Sequence, residues 1–445
     1  MNYKSAFERI RYNKSATKIL TNSSWLVSDK VFTMILGVFV TSIIARYFGP
    51  ESFGEFNYAL AFVSLFTAFS TLGLETLSVK SIVEKDYKEG TILYTSLFLR
   101  IIGGAILTVA AAIIIRIIDP KEIDLHVLVL ILSFTMVIKS FEVIEYWIQA
   151  YQKSKISSII RMTVYIITSG LKILLVLTHG TILGYTIIYF LDSCFISIAL
   201  IISYFKVREE KSPWRLDFKY SKYILSQSWY LMLSGFMVTM YMRIDQVMLG
   251  SMVSAKEVGI YSAAARVAEM WYFVPLAIIT SFKPVIMKYK VENENKYISS
   301  IQLLYTIVSW TGLLVGFIVI IFSKLIIGIL YGHDFLKAAS ILSISIWAGT
   351  FAMLGTARSV WLVTEGLQKY TLVYTMAGLI INVVLNVILI PTVGAYGAAI
   401  ATLIAQISTI LVLIFFKETR VTTILIIKSF SPMPIIKYVK KMKNI

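Results

Sequence analysis

Apolar runs of about twenty residues, the length an α-helix needs to cross a bilayer, recur along the whole of this 445-residue chain. Bounded by charge, glycine and proline, they give twelve spans: 25–47, 53–79, 91–115, 125–150, 157–177, 182–205, 228–250, 258–282, 300–322, 338–363, 371–390 and 395–416. A thirteenth apolar stretch, 421–430, is too short to span. Composition agrees, with 58% of residues hydrophobic, 15% charged and a mean hydropathy of +0.78. The chain reads as an all-α polytopic membrane protein.

The 42 Lys and Arg against 25 Asp and Glu give a net charge of +17, which in a soluble protein would raise nucleic-acid binding. Here the loops explain it. The N-terminal tail, alternate loops and the C-terminal tail hold 29 of the cations and the opposite loops 6, which by the positive-inside rule places both termini in the cytoplasm. An even number of spans agrees. No cleavable signal pattern precedes the first span, which is expected to serve as the insertion signal. Apart from the tails, no polar stretch between spans exceeds about 17 residues, too few for a folded soluble domain, which needs about 50 or more. The expected organisation is a basic cytoplasmic tail (1–24), a six-helix bundle (25–205), a cytoplasmic linker (206–227), a second six-helix bundle (228–416) and a basic cytoplasmic tail (417–445). That last tail, with Pro432, Pro434, Lys437, Lys440, Lys441 and Lys443, suits either a disordered segment or one lying on an anionic leaflet.

The two bundles read as a repeat. GPESFGEFNYALA (Gly49 to Ala61) is echoed by SAKEVGIYSAAAR (Ser254 to Arg266), aligning Gly54 with Gly259. TILGYTIIYFL is echoed by GAYGAAIATLI, aligning Gly184 with Gly397. The offsets, 205 and 213 residues, nearly agree. Six spans per half give the halves the same orientation, related by a pseudo-twofold axis along the membrane normal, a plan suited to alternating access.

Seven cations fall inside spans: Lys30, Arg100, Lys139, Lys172, Arg243, Arg266 and Arg358. Acids at comparable depth are Asp29, Glu75, Glu142, Glu145, Asp192, Asp245 and Glu269. A charge at mid-membrane costs about 2.5 kcal/mol or more, so these side chains should face the protein interior, a watery cavity or one another. Lys139 with Glu142 and Arg266 with Glu269 are three residues apart and share a helix face, which fits ion pairs. Arg243 and Asp245 point in different directions and need partners elsewhere. Arg100, Lys172 and Arg358 have no acid three or four residues away in their own spans, and Arg100 and Arg358 lie close enough to a cytoplasmic end to snorkel. The seven cations are the candidate substrate-binding residues for an anionic cargo, such as a lipid-linked phosphate or diphosphate. Asp29, Glu75, Asp245 and Glu269 are candidates for coupling to a proton or sodium gradient.

No GxxxxGK[ST] loop is present, His126, His179 and His333 fall in separate outer loops, and no HExxH or Cys/His cluster occurs, so neither a nucleotide cofactor nor a catalytic metal is expected. The single cysteine, Cys194, cannot form an intrachain disulfide.

Four stretches, ARYFGPESFGEF (Ala45 to Phe56), RIDQVMLG with EVGIYSAAARVAEMWYFVP (Arg243 to Gly250, Glu257 to Pro275), LYGHDFLKAA (Leu330 to Ala339) and INVVLNVILIPTVGAYGAAIATLIAQ (Ile381 to Gln406), resemble the Wzx-type O-antigen and capsule repeat-unit flippases of the multidrug/oligosaccharidyl-lipid/polysaccharide exporter superfamily. The resemblance implies a V-shaped pair of six-helix bundles around a central cavity, in the bacterial cytoplasmic (inner) membrane. It implies translocation of undecaprenyl-diphosphate-linked oligosaccharide from the inner to the outer leaflet, with glycan polymerase machinery as a candidate partner beside the membrane lipids. Of the cationic residues family members carry, it points to Arg46, Arg243 and Arg266, with Arg46 also suited to anchoring its loop. Asn382 and Asn386, four apart on one face, suit either joining helices or binding sugar hydroxyls.

Two rivals remain. A drug or organic-cation antiporter of the same superfamily would need an acid-centred cavity, against which the surplus of intramembrane cations argues. A membrane glycosyltransferase or polymerase would need a carboxylate pair on a sizeable outer loop, and only Asp119, Glu122 and Asp124 cluster there. A non-transporting scaffold has no use for so many buried charges.

Overall fold

Hydrocarbon offers no water to backbone N–H and C=O groups, so each segment must satisfy its own, and the helix does this. The computed structural model describes residues 14–208, 212–431 and 433, and their regular structure is helical throughout. The first thirteen residues of the basic N-terminal tail, 209–211 of the linker, and Pro432, Pro434, Lys437, Lys440, Lys441 and Lys443 lie outside the described residues.

The helices are α1 (Lys14–Ser70), α2 (Leu74–Glu84), α3 (Glu89–Ile118), α4 (Ile123–Ile138), α5 (Ile144–Ala150), α6 (Ser154–Leu177), α7 (Ile182–Val207), α8 (Phe218–Met252), α9 (Ala255–Glu269), α10 (Phe273–Glu292), α11 (Glu294–Tyr331), α12 (Ala338–Thr364), α13 (Lys369–Leu411) and α14 (Arg420–Ser429). Among the described residues, nine helical stretches are long and apolar enough to cross a membrane. Two of the nine are double, because α1 is broken at Gly49 (φ 70, ψ 176) and α13 at Gly394 (φ 58, ψ −137). With α8, which covers the seventh span as one 35-residue helix, each of the twelve spans is mainly helical, the second being interrupted by a turn at 71–73 where Leu72 and Gly73 take positive φ. The chain is a multi-pass membrane protein.

The break in α1 follows from its sequence. Gly49 takes the left-handed φ that a side chain would resist, and Pro50 opens the second arm, where a missing N–H leaves no bond unmade. The fourth span is also composite. It runs as α4, a 3₁₀ turn at Lys139–Val143, and α5. Side-chain caps start several helices: Thr181 accepts from Gly184 N at 3.3 Å, Ser254 from Glu257 N at 3.4 Å and Asn293 from Lys296 N at 3.0 Å. The short apolar stretch near the C-terminus is α14, ten residues long.

The chain clusters into two compact units, Met1–Tyr47 with Ala59–Thr239, and Phe48–Tyr58 with Met240–Ile445. The first has a core of Leu74, Ile92, Leu93, Trp147, Leu200 and Tyr204. In the second, the start of α1's second arm crosses α9 with backbones nearly touching. A Cβ at Gly54 would fall 1.7 Å from Ala255 O, and one at Gly259 would fall 2.1 Å from Pro50 O. The aligned glycines of the repeat therefore meet each other in one crossing, the small-residue contact by which membrane helices approach closely.

Candidate functional site

In the first unit the densest charge cluster gathers on Arg161, near the start of α6. Its Nη2 and Nε donate to Glu145 Oε1 at 3.0 and 3.2 Å, and Nη2 lies 3.7 Å from Glu142. Ser157 Oγ donates to the same Glu145 oxygen at 2.6 Å. The 3₁₀ turn that carries Glu142, followed directly by α5 with Glu145, sets both acids beside α6. Asp29, on the first arm of α1, feels Arg161 and Lys30 as its nearby cations, and its buried Oδ1 takes no hydrogen bond from the described residues. Lys30 is exposed.

Arg100, Lys172 and Arg358 are 5, 6 and 0% exposed, so none of them snorkels. Arg100, on α3, donates to the Tyr146 hydroxyl at 3.2 Å. Lys172, on α6, lies 5.5 and 5.8 Å from the ring centroids of Tyr165 and Tyr185, a cation–π setting. Arg358, on α12, donates from Nη1 to Thr409 O at 2.7 Å and stacks on Tyr374. Aromatic faces and hydroxyls, which a search for acids along one helix passes over, are what these cations meet. Glu75 is exposed and accepts from Gln149 at 2.7 Å.

The second unit centres on an acid. Asp245, on α8, is 3% exposed and accepts from Tyr261 OH at 2.7 Å, from Asn386 Nδ2 at 2.6 Å and from the Thr402 hydroxyl. Asn386 Nδ2 also donates to Asn382 Oδ1 at 3.2 Å, and Asn382 Nδ2 to Thr402 Oγ1 at 3.4 Å. Asn386 Oδ1 is buried without a donor among the described residues. No Lys or Arg side chain of the described residues forms an ion pair with Asp245. A buried carboxylate met by two hydroxyls and an amide N–H, with no cation beside it among the described residues, is a setting for a proton or a hard cation. Two residues earlier, Arg243 is half-buried and has no hydrogen-bond or ion-pair partner among the described residues. Arg266 and Glu269 are both exposed on α9.

The structure regroups several expected contacts. Glu142 faces Arg161 rather than pairing with Lys139, which is half-buried at the start of the 3₁₀ turn. Spacing of three puts Lys139 and Glu142 on one face, but the neighbouring helix α6 offers Glu142 the Arg161 guanidinium at 3.7 Å. Asn382 and Asn386 serve Asp245 across helices. Arg161, counted with the loop cations although the expected span 157–177 contains it, sits two turns into α6. Sequence reasoning misses Tyr146, Tyr261 and Thr402, neutral residues whose roles come only from the acids and cations they meet.

A family model described as polysaccharide biosynthesis protein matches residues 19–290, and a second, MatE, matches 231–388. The probable low-salt glycan biosynthesis flippase Agl15 of Haloferax volcanii is 28% identical over 198 residues, which is 42% of this chain and 40% of that protein's length. The capsular polysaccharide biosynthesis protein CapF of Staphylococcus aureus is 20% identical over 395 residues, 87% of this chain and 96% of its own. Among solved structures, the lipid II flippase MurJ in an inward closed conformation superposes with a TM-score of 0.71 at 18% identity, covering 93% of this chain and 92% of that one. That likeness establishes the fold. With well over half of its length matched by the first family model, the chain belongs to the polysaccharide biosynthesis protein family, as its four motif stretches suggest.

Proposed function

We propose that this protein is a flippase that carries a lipid-linked oligosaccharide across the bacterial cytoplasmic membrane by alternating access. The cargo is an undecaprenyl-diphosphate-linked repeat unit moved from the inner to the outer leaflet for surface polysaccharide assembly, with both termini of the carrier in the cytoplasm. The observation that carries this reading is Arg243, a half-buried guanidinium in α8, the helix that covers the seventh expected span, with no partner among the described residues. Lipid tolerates such a charge only where an anionic group or water meets it. A diphosphate matches a guanidinium's planar donors, and Arg243 with Arg266 is the pair assigned to it. Family membership and flippase relatives support the reading.

Asp245 with Asn382, Asn386, Tyr261 and Thr402 is assigned the coupling cation, sodium or a proton. It stands two residues from Arg243 on α8, so cargo and ion act on one helix. Arg100, Lys172 and Arg358, already engaged inside the units, take structural roles.

The buried carboxylate also favours a second reading, an organic-cation antiporter. Reconstitution into liposomes with a fluorescent undecaprenyl-diphosphate oligosaccharide separates the two. Protein-dependent acceleration of its exposure to an impermeant quencher is the expected result. No acceleration with several glycans under imposed proton and sodium gradients, together with gradient-driven uptake of an organic cation, gives the molecule to the antiporter.

A further inference from the structure

The short helix α14 is built inside out. Thr422, Thr423 and Ser429 are fully buried, whereas Val421, Ile424 and Ile427 are 48, 40 and 52% exposed. Leu425 and Ile426 are buried as well, so apolar side chains lie all round and the hydroxyls only inside. Those hydroxyls meet the rest of the second unit. Thr422 Oγ1 lies 2.7 Å from the Tyr305 hydroxyl, Ser429 Oγ lies 2.6 Å from Ser309 Oγ, and Thr423 Oγ1 donates to Ile410 O at 3.2 Å. A helix at a water surface turns its apolar stripe to the core and its polar groups out. Hydroxyls turned in and β-branched hydrocarbon turned out suit a solvent of lipid tails.

Its contacts also fix how deep it goes. The approach to α14 stands at one end of the bundle, where Tyr370, the second residue of α13, donates to Glu418 Oε2 at 3.2 Å and packs on Phe416 with ring centroids 5.1 Å apart. The far end lies against the middles of two helices long and apolar enough to cross a membrane. Phe430 packs on Phe351, the middle residue of α12, at 6.1 Å, and Ser429 meets Ser309, close to the middle of α11. Ten helical residues rise about 15 Å, half of a hydrocarbon core of about 30 Å. A helix that stops at that depth has no water for its last carbonyls. Here the segment supplies the donors itself: Ser429 Oγ to Ile426 O at 2.6 Å, Phe430 N to Ile427 O at 3.4 Å and Ser431 N to Lys428 O at 3.2 Å.

We propose that α14 is a half-membrane helix, entering the bilayer beside Tyr370 and stopping near the midplane, with the acyl chains of anionic phospholipid covering Val421, Ile424 and Ile427. Arg420 and Lys428 are exposed on the same outward face. Helical Cβ atoms tilt toward the N-terminus, so the Lys428 stem runs back past Ile424 toward the headgroups, where it and Arg420 meet lipid phosphates. The leaflet is the cytoplasmic one on the orientation proposed above, and only that name rests on the flippase reading. None of the residues assigned to cargo or ion takes part.

The test is fluorescence quenching on the full chain in liposomes. In a Cys194→Ser background, Val421→Cys, Ile424→Cys and Ile427→Cys are each labelled with bimane, and Val291→Cys, 89% exposed near the end of α10, is the water-facing reference. Phospholipids brominated at shallow and at deep acyl positions should quench all three α14 labels, the shallow lipid favouring Val421 and the deep one Ile427. Aqueous iodide should quench only the reference. Brominated phosphatidylglycerol should quench the Ile424 label more than brominated phosphatidylcholine at equal mole fraction, and Arg420→Gln with Lys428→Gln should erase that preference. Iodide quenching at the level of Val291 would overturn the proposal by placing α14 in water, and equal depth profiles at Val421 and Ile427 would overturn it by laying the helix flat along the surface. Exclusion of both quenchers would give the face to a protein partner instead. A phosphatidylglycerol preference that is absent, or that survives the double substitution, would overturn the assignment of anionic lipid.

Discussion

Glu257 Oε2 accepts the backbone N–H of Ala395 at 2.8 Å, so a side chain in the first turn of α9 caps the second arm of α13 just after its break. The carboxylate meets a helix N-terminus, where both the free N–H and the helix dipole favour it. Gly394 adjoins this contact at φ 58, and a Cβ there would fall 2.7 Å from the same oxygen. Gly394→Ala should therefore lower stability by about 1–3 kcal/mol through backbone strain and displacement of the cap. Glu257→Ala should cost about 1–2 kcal/mol by orphaning one N–H, and Glu257→Gln less, since it keeps an acceptor. Thermal melting of the detergent-solubilised protein reads all three, and an unchanged midpoint for Gly394→Ala would remove the strain argument.

The crossing of Gly54 with Gly259 allows no side chain on either strand of contact. Gly54→Ala and Gly259→Ala should each sharply reduce folded protein in the membrane, because the obstacle is backbone that cannot swing away. Gly170 and Gly235 lie in helices with nothing within 4 Å of where a Cβ would stand, so Ala there should be neutral or stabilising by up to about 1 kcal/mol. Fluorescence-detected size exclusion of tagged variants compares the four directly.

Arg161 and Glu145 form the clearest ion pair inside the first unit. Breaking a fully buried pair costs about 3–5 kcal/mol, but Arg161 is about a third exposed, so Arg161→Ala is expected to cost nearer 1–2 kcal/mol. Combining it with Glu145→Gln should recover part of that loss. Additive single effects in the double-mutant cycle would show that the two side chains are not coupled.

The functional assignments predict different failures for neighbours on α8. Arg243→Ala should abolish surface glycan export at matched membrane abundance, and Arg266→Ala should do the same. Asp245→Asn, which keeps the shape and removes the charge, should leave cargo binding intact and erase the dependence of flipping on the imposed ion gradient. Export by Arg243→Ala at the wild-type level would take that residue out of the site.

Much of the helix plan is legible because lipid imposes a length on apolar runs, and Gly-Pro punctuation marks where they break. The ends of 25–47 and 53–79 bracket Gly49 and Pro50, and those of 371–390 and 395–416 bracket Gly394. The site is legible only in its residue types. Asp245 stands out as an acid in a span, but its surroundings come from α9 and both arms of α13, and no spacing along α8 announces them. Glu142 misleads for a related reason: spacing along its own helix offers Lys139, while its actual partner, Arg161, comes from α6.

Residues Phe48–Tyr58 belong to the second unit although they are made early in synthesis. Gly54 rests against Ala255, about 200 residues later, so at roughly 5–20 residues per second this segment waits some 10–40 s for the helix it is shaped to meet. During that interval it must neither bind elsewhere nor be pulled into the unit being built around it. A glycine at its centre suits the wait, since it presents little apolar surface to a wrong neighbour and fits closely only against another backbone. The order in which the chain emerges thus makes completion of the second unit a late event, dependent on a piece delivered long before.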